Sequence, residues 1–133
     1  MGAAETRKVV TEYFDAINRG DFPALLGALA EDVTFWVPPS LPDGALYRGK
    51  PAVTKLFEDS FALYGKDGGM RVNVESLLCE GDEAACAFVI SAVSAKGEPY
   101  ENHYHFHFRL RGGKIAAIRE HFDSLYAHRK LWT

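Results

Sequence analysis

Only two cysteines, Cys79 and Cys86, occur in the 133 residues, and no run of Lys and Arg forms a basic stripe. Without that stripe the chain lacks the electrostatic footprint of a nucleic-acid binder. The longest apolar stretch, Ala84 to Val93 with Ser91 inside it, falls far short of the ~20 residues that cross a bilayer as a helix. No charged leader followed by an apolar segment opens the sequence, so the expected compartment is the reducing cytoplasm and the expected state of both cysteines is the thiol. They flank the turn Glu80-Gly81-Asp82, which keeps a cross-strand bridge geometrically conceivable. Ser91 and Ser94 have no Gly-x-Ser-x-Gly elbow around them, which removes the usual support for a hydrolase triad. No glycine loop follows a strand to cradle phosphate; Gly65 to Gly69 precedes one instead.

What is present is an ordinary globular balance of 47% apolar and 25% charged residues with a net charge of −3. The expectation is one domain spanning 1–133, large enough to bury about two-thirds of its unfolded surface. Nine Phe, six Tyr and two Trp make 13% aromatic, a surplus over what so small a core needs. Tyr13, Phe14, Phe35, Trp36, Phe57 and Phe61 form a charge-poor set that is read as core and as a sign of an internal pocket.

Val9, Val10, Tyr13, Phe14 and Ile17 recur at helical spacing and predict a helix that Gly20 ends. Asp21 is placed to cap a short second helix with Pro23 in its first turn. Val33 to Val37 reads as strand, 38–49 as loop, and Val53, Leu56, Phe57 and Phe61 as a third helix closed by Gly65 to Gly69. After Met70 the period is two, with strands near 70–79, 84–95, 100–110 and 114–122. Helices followed by an antiparallel meander predict an α+β fold with helices on one face of a sheet. The tail 124–133 fits either a short helix or an edge extension.

The last hairpin carries most of the chemistry. On the strand 100–110, Asn102, Tyr104, Phe106, Phe108 and Leu110 share one face, and Glu101, His103, His105, His107 and Arg109 the other. On 114–122 the corresponding sets are Ala116, Ile118, Glu120 and Phe122 against Ile115, Ala117, Arg119 and His121. The two apolar sets share a side only if paired residue numbers sum to an even value, which a three-residue loop, Arg111-Gly112-Gly113, with a glycine bulge provides. That register sets Tyr104 opposite Glu120 and Phe106 opposite Ile118. Glu120 is then a carboxyl on an aromatic and aliphatic face, where burial raises its pKa toward the range of a general acid or base. Tyr104 is positioned to hold it by a hydrogen bond. The alternative is an edge carboxylate that reaches water or an Arg.

His103, His105 and His107 stand on the opposite face, the first and third about 13 Å apart along the strand, too far for one metal ion. No metal is expected. These groups and His121 are read as a polar outer face suited to a subunit interface that titrates in the histidine range.

The run from Tyr13 through Phe22, the segments Leu25-Leu26 and Glu31 to Pro38, Tyr47-Arg48-Gly49, Gly113-Lys114-Ile115 and Arg119 to Asp123 resemble the SnoaL-like branch of the nuclear transport factor 2-like superfamily. The resemblance covers about residues 8–123. It implies a cone-shaped α+β barrel in which a curved sheet wraps helices around an apolar pocket, and a homodimer formed through the outer sheet face with His103, His105, His107 and His121. Family activities span isomerisation, cyclisation, epoxide hydrolysis, dehydration and binding. The steroid isomerases' tyrosine falls on Tyr13, but their base falls on Val37 and their second oxyanion donor on or beside Phe106, which argues against that activity. Limonene epoxide hydrolases need polar residues where Phe35 and Val37 stand and charges near Ala87 to Val89, and these are absent too. The polyketide cyclases' base falls on Glu120, with its partner histidine near Phe106.

Both lines meet on Glu120. The expected function is a cofactor-independent acid–base enzyme that removes a proton next to a carbonyl of a small apolar substrate, with Tyr13 or Tyr104 donating to the enolate oxygen. Phe35, Val37, Phe57, Phe106 and Phe122 are expected to shape the cavity, with Phe61, Val89, Asn102 and Ile118 completing its wall. A non-catalytic binder of a small hydrophobic ligand and a ligand-free interaction domain are the alternatives.

Overall fold

The computed structural model describes residues 2–64 and 69–133. Helix α1 (Ala3–Asn18) buries Val10, Tyr13, Phe14 and Ala16 along one stripe, and Gly20 turns the chain at φ 69°. The Asp21 carboxylate accepts the Ala24 N–H at 3.1 Å and starts α2 (Phe22–Gly27). Strand β1 (Leu29–Trp36) and the short β2 (Leu46–Arg48) precede α3 (Lys50–Phe61). Then come β3 (Arg71–Glu80), β4 (Glu83–Val93), β5 (Pro99–Arg111) and β6 (Lys114–Phe122).

The six strands form one curved sheet in the order β2-β1-β6-β5-β4-β3. The β1–β6 pair is parallel and the other neighbours are antiparallel. The inner face closes on α1 and α3 through an aromatic core: Phe14 lies 4.8 Å from Phe88, Phe88 4.8 Å from Phe106, and Tyr13 5.4 Å from Phe108 between ring centroids. The fold is therefore the expected α+β cone. No described helix is long and apolar enough to cross a membrane.

Some local expectations are met, others decided or corrected. The 38–49 loop contains β2, which pairs Tyr47 with Phe35. The tail is helical: Asp123 caps α4 (Ser124–Ala127) by accepting the Tyr126 N–H at 3.1 Å, and a π-helical turn follows over His128–Trp132. The expected closure of α3 at Gly65 to Gly69 lies largely outside the described residues. Trp36 faces outward, with the Arg119 guanidinium 4.0 Å from its ring centroid. Cys79 and Cys86 are free thiols, and burial pushes the Cys86 thiol up to about 11.

The β5–β6 turn departs from the three-residue loop. Gly112 and Gly113 both take positive φ, 57° and 78°, and close a two-residue hairpin whose twist matches the strands. Such a turn alone would flip β6. The register shift sits farther in, where Arg109 pairs with Ala117 and Leu110 with Ile115, leaving Ala116 without a partner. The faces are thereby restored, but the pairs move by two: Phe106 opposes Glu120, Tyr104 opposes Phe122 and Phe108 opposes Ile118. The same bulge turns Ile115, expected outside, fully into the core.

Candidate functional site

A cavity of about 90 Å³ lies between α1, α3, the inner sheet face and the C-terminal turn. Its wall is aromatic and aliphatic: Phe14, Leu56, Phe57 and Phe61 from the helices, and Phe35, Phe88, Ile90, Phe106 and Phe122 from the sheet. Ala127, Leu131 and Trp132 close the end nearest the C-terminus. Among the described lining residues there is no Lys, Arg or His, and the ionisable groups are Asp43, Glu120 and the tyrosines 13, 64 and 104.

Glu120 reaches this cavity because β6 alternates: Arg119 and His121 stand exposed outside while Glu120 points in. Its carboxyl makes no hydrogen bond or ion pair among the described residues. Withdrawal from water disfavours the carboxylate, and the nearby Asp43 charge adds repulsion, so its pKa is pushed up to about 8.

Asp43 is held by a tightly folded loop. Val37 N–H donates to Ala45 O at 2.9 Å and Gly44 N–H to Leu41 O at 2.9 Å. The Tyr47 hydroxyl donates to the Asp43 main-chain oxygen at 2.6 Å. Gly44 is obligatory for space, since a Cβ there would overlap Pro38 O and come within 2.7 Å of Pro39 Cα. The Asp43 side chain lines the cavity, and its Oδ1 is buried without a hydrogen-bond partner among the described residues. Burial raises the Asp43 pKa, a hydrogen bond from its own backbone opposes this, and the Asp59 charge adds a smaller increase.

Tyr13 lies on α1 and is 2% exposed, with its ring edge-on to Phe14 and Phe108. Its hydroxyl makes no hydrogen bond among the described residues, and burial together with the Glu120 charge raises its pKa. It therefore stays a proton donor at any physiological pH. Tyr104 is different. Its ring is stacked between Phe88 (5.3 Å) and Phe122 (4.8 Å), and its hydroxyl lies 2.6 Å from that of Tyr100. The expected Tyr104–Glu120 hydrogen bond is not formed, because the register carries Tyr104 to Phe122.

Of the expected cavity residues, Phe35, Phe57, Phe61, Phe106 and Phe122 line the wall together with Tyr13, Tyr104 and Glu120. Four do not. Val37 (2% exposed) and Ile118 (2%) are packed in the core behind the wall. Val89 pairs with His103 on the outer face, while its neighbours Phe88 and Ile90 face in. Asn102 is buried but consumed by structure: its amide nitrogen donates to Tyr100 Oη (3.0 Å) and Asp123 O (3.1 Å), and its oxygen accepts the His103 N–H (2.8 Å). Sequence reasoning missed Asp43, Tyr64 and the C-terminal turn. The one available signal for Asp43 was an acid between Pro42 and Gly44 in a loop that must bend sharply.

The SnoaL-like domain family matches residues 10–118. No curated protein matches the sequence. Among solved structures, TerC co-crystallized with polyporic acid superimposes with a TM-score of 0.85 at 16% identity, covering 97% of this chain and 99% of that one. An NTF2-like protein from Anabaena variabilis gives 0.79 at 26% identity over 90% of each chain. A proposed polyketide cyclase from Pseudomonas putida gives 0.77 at 22% identity over 95% and 97%.

Proposed function

This chain belongs to the SnoaL-like family, and we propose that it is a cofactor-independent acid–base enzyme acting next to the carbonyl of a small, neutral, apolar substrate. The observation that carries this reading is Glu120, a carboxyl with no cation or hydrogen-bond partner among the described residues, on the wall of an aromatic cavity. An acid that titrates near neutrality both takes and returns a proton under the same conditions. Glu120 ionised takes the proton from the carbon next to the carbonyl, and the carbonyl oxygen gathers negative charge. Tyr13, an unpartnered donor on the same cavity, stabilises that oxygen by a hydrogen bond. The absence of Lys, Arg and His from the described lining disfavours anionic substrates. The likeness to TerC, which was co-crystallized with polyporic acid, and to the proposed polyketide cyclase supports a pocket for a small organic molecule.

The test is exchange of the α-protons of butanone in deuterium oxide, followed by proton NMR. The wild type accelerates exchange above buffer, and Glu120→Gln, with an unchanged circular dichroism spectrum, does not. Equal rates in the two proteins would overturn the assignment of Glu120. A second reading, a non-catalytic binder of a small apolar ligand, draws on Tyr104, whose hydroxyl is committed to Tyr100 and so is a poor oxyanion donor. It predicts ligand retention in both proteins and no exchange in either.

A further inference from the structure

Asp43 has no place in the sequence-based site, yet it is a carboxyl on the same cavity wall as Glu120. Its main chain is fixed by the Tyr47 hydroxyl and by a loop that tolerates no side chain at residue 44. Its Oδ1 is enclosed, with no donor to it among the described residues. A carboxylate oxygen in that situation is costly, and the same oxygen as part of a neutral acid is not. Glu120, on the same apolar cavity, has the same problem, and neither has a cation partner among the described residues. The charge of Asp43 disfavours ionisation of Glu120, so the two carboxyls titrate as a pair.

We propose that Asp43 and Glu120 hold one proton between them and act as an acid–base pair on a small neutral ketone. The proposal rests on the proton-transfer reading above and adds a second catalytic residue to it. At rest the proton sits on Glu120, whose pKa the Asp43 charge raises, and the reactive form is the tautomer in which Glu120 is the carboxylate and Asp43 the acid. Glu120 Oε takes the proton from the α-carbon, and the C–H electron pair becomes the carbon–carbon double bond. The carbonyl π pair moves to oxygen, which takes the proton from Asp43. The product is a neutral enol, Glu120 is now protonated, and Asp43 is the carboxylate. The pair begins and ends with one proton and one negative charge, so no net charge is created in a cavity that solvates charge poorly. Return of the two protons, to the same carbon or to another of the enol system, resets the pair.

The other ionisable groups facing the pair are few. Tyr13 comes from α1, Tyr64 from the segment after α3 and Tyr104 from β5. The main-chain hydroxyl contact comes from Tyr47 on β2. Asp59 on α3 also acts on Asp43 but is itself paired with Lys55 at 2.7 Å. None of the tyrosines ionises near neutrality, because burial or neighbouring negative charge raises each of these four.

The experiment has two readouts on the full chain. The first is a carbon-13 NMR titration of the side-chain carboxyls. In the wild type the Glu120 curve has two steps, the one at lower pH reporting Asp43, and in Asp43→Asn it collapses to one step whose midpoint lies below that of the main wild-type step. A single-step Glu120 curve in the wild type, or the same midpoint in Asp43→Asn, overturns the pair without any assay of turnover. The second readout is butanone exchange from pH 5 to 10. The wild type gives a bell, because the fully protonated and fully ionised pairs are both inactive. Asp43→Asn lowers the maximum at least tenfold and turns the bell into a single rise. A bell of unchanged height in Asp43→Asn overturns the catalytic role of Asp43. Two-step titration with no exchange in the wild type keeps the shared proton and removes the enzymatic reading instead.

Discussion

Two groups of polar side chains, one reaching behind the cavity wall and one along it, are built in opposite ways. In the first, Asn102, Tyr100 and Tyr104 form a connected chain in which each member has a partner at 2.6–3.1 Å. Along the wall, Glu120, Asp43 Oδ1 and the Tyr13 hydroxyl have none among the described residues. Satisfied polar groups stabilise and rigidify a core, whereas unsatisfied ones cost free energy in the folded state. A fold that keeps both kinds side by side marks the second kind as the part retained for a ligand. Variants at the unsatisfied positions should raise or hold stability and remove function, and variants at the satisfied positions should do the reverse.

The largest expected effect is the pH dependence that Glu120 imposes. Its folded pKa, about 8, lies above its ordinary 4.5, so the folded state binds the extra proton between those values. Stability is therefore highest below pH 4.5 as far as this group is concerned, and it falls as pH rises toward 8. Because Glu120 is only half-buried, roughly 5 kcal/mol is the upper bound of the span, lost by the wild type and not by Glu120→Gln. Urea denaturation at pH 5, 7 and 9 measures it. Parallel stability profiles for the two proteins would show that Glu120 is solvated and would remove the contrast between the two groups.

Strand alternation made half of that contrast legible in advance. The period of two put Glu120 on the face of Phe106 and Phe108, and parity alone required an even register wherever the bulge lay. What parity cannot supply is the offset. Two left-handed glycines fit a two-residue turn better than the three-residue loop, and moving the bulge to Ala116 shifted every pair by two and separated Tyr104 from Glu120. Asn102 was read as a cavity residue because it shares the inner face, but a face assignment does not say whether a polar group has already spent its hydrogen bonds on Tyr100 and Asp123. Val89 was read as a cavity residue, but alternation along β4 puts Phe88 and Ile90 inside and Val89 outside. Asp43 was illegible for a different reason. Loops have no period, and its inward direction depends on the packing of Gly44 against Pro38 and Pro39, contacts set by tertiary structure.

That packing gives the next test in size. Gly44→Ala forces the loop off Pro38 O and should cost roughly 3 kcal/mol, the upper end for an overpacked site. Because Asp43 moves with the loop, the Glu120 midpoint falls as well. A Gly44→Ala protein that loses stability but keeps the midpoint near 8 would mean that Asp43 does not act on Glu120. In the satisfied group, Asn102→Ala leaves the Asp123 carbonyl and the His103 N–H without their partner and should cost roughly 2 kcal/mol. Here the Glu120 midpoint and butanone exchange stay as in the wild type.

Tyr100→Phe sharpens the comparison most, although its effect is the smallest, roughly 1 kcal/mol. The change removes one oxygen and almost no volume. It frees the Tyr104 hydroxyl from its 2.6 Å partner and leaves one Asn102 N–H unpaired. Tyr104 lines the cavity, whereas Tyr100 lies behind it, so the freed hydroxyl becomes a new donor facing the ligand space. If the Tyr100 bond is what keeps Tyr104 structural, exchange in Tyr100→Phe rises or ligand binding tightens while denaturation midpoints fall. If both quantities are unchanged within error, Tyr104 is held by its stacking between Phe88 and Phe122, and the hydroxyl chain is a consequence of that packing.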